Sequence, residues 1–172
     1  MTSALVTTIA GSASNSYLTR AEADVYFTDR LHSDTWSDAD ALDKDRALLW
    51  AAKILDTRVS WAGTIVNYLQ ALSWPRHGVV SINTSQYYSP EEIPKFIQYA
   101  QAELALSLLL SDRTLDSDTA GIASLSVTGA VSLTFDKTTT APVLPQAVRD
   151  LIAPYGTFDN GSKMKVLPVA RS

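Results

Sequence analysis

Between Pro94 and Ser111 lies FIQYAQAELALSLLL (Phe96–Leu110), a stretch that is apolar on almost every side. A helix of this kind cannot lie on a surface with one face in water; it has to be covered from several directions. Its densest run, LALSLLL (Leu104–Leu110), is far too short to cross a bilayer. The remaining helices must therefore pack around it. The expected fold is mainly α, a small bundle of three to four helices with a minor β-hairpin and extended N- and C-terminal arms. With 172 residues, 46% of them apolar, the chain has the length of one domain and enough apolar surface to build its core.

The helices that could surround Phe96–Leu110 are readable from their caps. In SYLTRAEADVYFTDRL, Thr19 is placed to cap a helix and Glu22, three residues on, completes a capping box. Leu18, Ala21, Val25 and Phe27 or Leu31 are its expected buried side. Residues 32–38 read as a polar break. Ala39–Arg58 is the second helix. Asp38, Asp40, Asp43 and Asp45 lie toward its positive end, and Leu48, Leu49, Trp50, Ala51, Ala52, Ile54 and Leu55 make its second half apolar nearly all round. Residues 59–88 form a long connection rich in aromatics (Trp61, Tyr68, Trp74, Tyr87, Tyr88), of a length that usually packs as its own unit or carries function. Ser89–Glu92 reads as a cap, with a short turn at Pro94 feeding the central helix. The alternation in Ile122–Asp136, broken by Gly129, predicts a hairpin. Pro145–Gly156 predicts a short helix. The layout is thus a flexible arm over 1–15, a helical domain over 16–156 with its hairpin at about 122–136, and a C-terminal arm over 157–172.

Chemistry is hard to place in this chain. It has no cysteine, which removes disulfides, thiolate metal sites, iron–sulfur clusters and thiol nucleophiles together. His32 and His77 stand in separate loops, and no zinc, nucleophile-elbow or phosphate-loop motif accompanies them. Asp34, Asp38, Asp40, Asp43 and Asp45 lack calcium-loop spacing and read as a solvated helix start. No enzymatic activity, metal or cofactor is expected, and the start of the chain has no basic region of the signal-peptide kind. The formal net charge of −4 gives no global attraction to phosphate backbones or anionic membranes. Single-strand binders pair aromatic platforms with cations. The aromatic connection has Arg76 as its sole Lys or Arg, so Trp61 and Trp74 are expected to pin it onto the helices.

Within that connection, QALSWPRHGV (Gln70–Val79) reads as a structural corner. Leu72 and Trp74 are its anchors. Pro75 fixes its own φ and restricts Trp74, Arg76 offers a planar five-donor fork, and Gly78 permits a sharp turn. Gln70 opens the motif.

The same stretch, with NSYLTRAEADVYF near the start, resembles tailed-phage head–tail adaptor (connector) proteins, a family often labelled DnaT-like single-stranded-DNA-binding. The matching positions are Ser16, Tyr17, Ala21, Glu22, Ala23 and Tyr26, then Gln70, Ala71, Leu72, Trp74, Pro75, Arg76 and Gly78, with Ile93–Pro94 ahead of the QAELAL helix. The resemblance implies a structural virion protein of the neck, made in the host cytoplasm. Such a protein forms a homo-oligomeric ring, usually of twelve subunits, docked under the portal protein. It meets a tail or tail-completion protein, passes genomic double-stranded DNA without specific binding, and touches no membrane. In such rings a terminal arm reaches the portal. Here that arm would be the basic tail, through Lys163, Lys165, Val166, Leu167, Val169 and Arg171, with KVLPV adding a strand to a neighbour's sheet. The alternative is a replication-type single-stranded-DNA-binding protein, as the family label suggests; a third is a small enzyme with Trp74 and Arg76 in its pocket.

Overall fold

A computed structural model of the chain describes residues 4–114, 124–127, 131–134 and 142–158. The element order is α1 (Arg20–Thr28), α2 (Asp34–Asp38), α3 (Ala41–Arg58), β1 (Val59–Trp61), β2 (Thr64–Ile65), β3 (Arg76–His77), α4 (Lys95–Leu110), β4 (Ser124–Val127), β5 (Val131–Thr134), α5 (Gln146–Ile152) and β6 (Gly156–Phe158). The protein is mainly α with minor β. Among the described residues the strands form three separate antiparallel pairs: β1 with β6, β2 with β3, and β4 with β5. The hairpin expected around Gly129 is the last of these, with Leu125 opposite Leu133 and Val127 opposite Val131.

α4 is the centre, as its all-round apolarity demands. It packs against α1, α2, α3 and α5. Ile97, Ala100, Ala102, Leu104 and Ala105 are fully buried along it. Leu48, Ala51, Ala52 and Leu55 of α3 and Val148 and Ile152 of α5 close the same core. Pro94 stands at the N-cap of α4, where a missing N–H costs nothing.

α1 starts as its cap dictates. The Thr19 hydroxyl accepts from the Glu22 N–H, and the Glu22 carboxylate accepts from the Thr19 N–H at 2.7 Å. Its buried face differs from the expected one. Ala23 and Phe27 face the core, whereas Val25 and Leu31 are exposed. Leu18 is buried, but it precedes the cap and so does not set the helical phase. The polar break over 32–38 contains α2, whose Trp36 is buried against Phe27 with its indole N–H donating to Asp24 at 2.8 Å. α3 buries Ala47, Leu48, Ala51, Ala52, Ile54 and Leu55, but Trp50, read from the sequence as part of the buried half, is 41% exposed.

Within the expected N-terminal arm, residues 4–15 are tied back on themselves and onto the body. The Val6 N–H donates to the Asn15 side chain at 2.7 Å, the Asn15 N–H returns to the Val6 carbonyl at 2.9 Å, and the Gly11 carbonyl accepts from Ala71 N–H at 3.0 Å.

Candidate functional site

The corner Gln70–Gly78 is built from the outside inward. The Gln70 carboxamide oxygen accepts from the N–H groups of Val66 and Asn67, both at 3.0 Å, and its amide donates to the carbonyls of Leu72 (2.7 Å) and Pro75 (3.2 Å). One side chain therefore holds the loop on both flanks. Leu72 is half-buried against the core, and Trp74 is fully buried. The Trp74–Pro75 peptide is cis. Trp74 meets Phe96, Trp61 and Tyr88 edge-on, with ring centroids 5.2, 5.7 and 6.2 Å away, and Phe96 stacks on Tyr155 at 4.0 Å. These rings pin the connection onto α4, and Trp74 is closed to any ligand.

Arg76 is occupied in the same way. Its guanidinium donates to the carbonyls of Ala62 (2.6 Å), Gly63 (2.7 Å) and Ser73 (3.1 Å). Burial lowers its pKa from the usual range. The fork gathers a turn whose other necessity the sequence reading missed. Gly63 sits at φ +70, and a Cβ there would lie 2.2 Å from the His77 carbonyl oxygen. Gly78, at φ +77, uses the left-handed region as well, and a Cβ there would meet Gly63 Cα at 4.0 Å, an ordinary contact.

Asp56 of α3 joins this corner to the first signature. It accepts from the Tyr17 hydroxyl and from the Ser73 N–H at 3.1 Å. Burial raises the Asp56 carboxyl above its ordinary range and pushes the Tyr17 phenol well up. His32 is exposed in a loop and His77 is exposed in β3, where the sequence reading expected a second loop; among the described residues no group of His, Asp and Glu is arranged to hold a metal. Lys163, Lys165, Val166, Leu167, Val169 and Arg171 lie outside the described residues.

Among the described residues, two surfaces set an exposed aromatic ring beside cations. The larger is a groove of about 600 Å³ between α1 and α4, where Tyr26 and Tyr99 stack at 4.8 Å. Its arginine is engaged: Arg30 donates to both oxygens of Glu103, at 2.6 and 2.9 Å, and to the His32 carbonyl at 3.3 Å. Glu22 and Asp29 also line the groove, leaving Lys95 as its one cation without a carboxylate partner among the described residues. That balance does not suit a phosphate chain.

The second surface is a stripe of α3. Arg46, Trp50, Lys53 and Thr57 follow one another at spacings of four, three and four, so they share one face. All four are exposed. The Lys53 ammonium lies 4.9 Å from the Trp50 ring centroid, inside cation–π range. Arg46 pairs with Asp43 at 2.9 Å, but both side chains are more than half exposed, so the pair is weak and easily exchanged. Beside Trp50 opens a cleft of about 380 Å³, bounded also by Leu109 and Asp112 at the end of α4. Of the four tryptophans in the chain, Trp36 and Trp74 are buried and Trp61 is half-buried; Trp50 is the most exposed. A helical pattern read as apolar all round hides such a residue, because the sequence does not say which arc the neighbours leave uncovered.

No curated protein and no solved structure matches the chain. A family described as "Putative DnaT-like ssDNA binding protein" does, over residues 4–172. This match corrects the expectation of a head–tail adaptor: the ring under the portal, the tail partner and the non-specific passage of double-stranded DNA all fall with it. The structure explains why the signatures misled. Ser16, Tyr17, Ala23 and Trp74 are buried, Glu22 completes a cap, and Gln70 and Arg76 bind backbone. They specify a scaffold and carry no information about a portal. By a match that runs almost from end to end, the chain belongs to the DnaT-like single-stranded-DNA-binding family.

Proposed function

We propose that this protein binds single-stranded DNA, with Trp50 as the stacking platform and Arg46 and Lys53 as the phosphate contacts beside it. The observation that carries the reading is the exposure of Trp50 between two cations on one face of α3, in a chain that buries Trp36 and Trp74. Every base has a π-face, so such a platform accepts any sequence that can leave a base unstacked. Two cations give few phosphate contacts, and the net charge of −4 adds no long-range pull. Binding is therefore led by stacking, with a modest electrostatic part. No catalytic step belongs to this reading; the activity is binding alone.

The test is an equilibrium titration of a labelled mixed-sequence oligonucleotide with the native protein and with Trp50→Ala. A stacked base contributes about 1–3 kcal/mol, so the substitution should weaken binding about fivefold or more while the fold stays intact. Equal binding by the two proteins would remove Trp50 from the site.

A further inference from the structure

The cleft beside Trp50 has a chemical character that stacking does not use. In a helix a long side chain leans toward the N-terminus and covers the preceding turn. Trp50, Arg46 and Asp43 line the α3 side of the cleft together. The far wall comes from the end of α4, where Leu109 supplies apolar surface and Asp112 a carboxylate. At about 380 Å³ the cleft falls within the size range of small-ligand sites. It thus presents one indole, an aliphatic wall, two carboxylates from different parts of the chain and the Arg46 guanidinium, which is paired with Asp43.

Both acids are available as acceptors. Asp112 holds its orientation through Thr114, whose N–H and hydroxyl donate to the same oxygen, Oδ1, at 2.8 and 2.6 Å. These bonds keep the Asp112 carboxyl below its ordinary pKa and hence ionised at neutral pH. Asp43 is held by Arg46 alone among side chains of the described residues, in an exposed pair. Its other oxygen, Oδ2, accepts no side-chain hydrogen bond among the described residues.

Resting on the single-strand reading above, we propose that this cleft takes an unstacked nucleobase with an exocyclic amino group, cytosine first, and that Asp43 and Asp112 accept its N–H bonds. A carboxylate accepts from the cytosine N4 amino group. It meets the O4 carbonyl of uracil or thymine as acceptor against acceptor, with no proton to share. The preference is thus set by repulsion of the wrong base as much as by attraction of the right one.

The experiment compares oligo(dC) with oligo(dU) at neutral pH. The two differ at the exocyclic position and N3 and lack the thymine methyl. The proteins are the native chain, Asp112→Asn, Asp43→Asn and Trp50→Ala, each checked for an unchanged circular-dichroism spectrum. The native protein should bind oligo(dC) about tenfold more tightly. That ratio should fall toward one in Asp112→Asn or Asp43→Asn, because an amide can donate to O4, while oligo(dU) affinity should hold or rise. If oligo(dC) and oligo(dU) bind equally and both are weakened by Trp50→Ala, the base preference is overturned and the stacking site stands. If the preference survives both amide substitutions, the carboxylates are not its source and the proposal fails. If neither oligonucleotide binds, the single-strand reading fails with it.

Discussion

The backbone N–H of Tyr17 donates to the side-chain oxygen of Gln101 at 2.8 Å, across 84 residues of sequence. One turn earlier on α4, Gln98 donates to the Tyr17 carbonyl at 3.0 Å. Two glutamines thus satisfy both backbone groups of a buried residue that belongs to no helix or strand. The Gln101 amide also donates to the Ser16 hydroxyl (2.7 Å) and the Leu48 carbonyl (2.9 Å), so this one side chain ties the N-terminal signature to α3 and α4. Burial in a low-dielectric core makes each of these bonds costly to lose.

Gln101→Leu keeps the volume and removes the bonds. The Tyr17 N–H is then buried without a partner, and the expected loss is about 2 kcal/mol or more. Urea unfolding checks it as a lower midpoint with an unchanged slope.

Arg76→Lys is not a conservative change here. An ammonium cannot reproduce a fork that reaches the Ala62, Gly63 and Ser73 carbonyls together. About 1–2 kcal/mol of stability should be lost. Affinity for single-stranded DNA should be unchanged where the variant is folded, because Arg76 serves the corner and not the Trp50 stripe. A thermal melt and a DNA titration on the same sample separate the two roles.

Asp56 gives a dependence on pH whose sign follows from its burial. Its folded-state pKa is raised above the unfolded value of about 3.9. Between those two values the folded chain holds a proton that the unfolded chain has released. The contribution of this group is therefore largest below the unfolded pKa and declines as pH rises through the folded one. Asp56→Asn cannot ionise. The stability difference between native protein and variant should drift in favour of Asp56→Asn as pH climbs from about 4. Urea midpoints measured across that range test the drift, and any constant cost of the amide beside the Ser73 N–H cancels from it.

The salt dependence of binding should be shallow. Two cations on a single strand predict a slope of log K against log salt near −1.4. A slope much steeper than about −2 would mean that phosphate contacts beyond Arg46 and Lys53 dominate.

Much of the fold was legible because its signals are local or compositional. The capping box of Thr19 and Glu22 and the Pro94 boundary are short-range chemistry. The central place of α4 follows from a segment with no polar arc to give to water. What failed was phase and partnership. The four-residue spacing of Ala21 and Val25 and that of Ala23 and Phe27 describe equally good helical faces, and only the packing of α4 selects the second. Trp36 looked like part of a polar break because its indole partner, Asp24, lies on another helix. The corner was legible as anchors and a five-donor fork, but which carbonyls the fork reaches depends on the turn at Ala62 and Gly63, more than ten residues away. Trp50 was hidden for the opposite reason: an apolar residue among apolar residues reads as core, and its exposure depends on which arc of α3 the fold leaves open.

Stacking of a single-stranded base on Trp50 is tested most directly by the affinity of one mixed-sequence oligonucleotide for the native protein, Trp50→Ala and Trp50→Phe at a single salt concentration. The expected result is a loss of about fivefold or more in Trp50→Ala, recovered in large part by Trp50→Phe, with all three proteins melting alike. Equal affinities across the three, or no binding by the native protein, would contradict it.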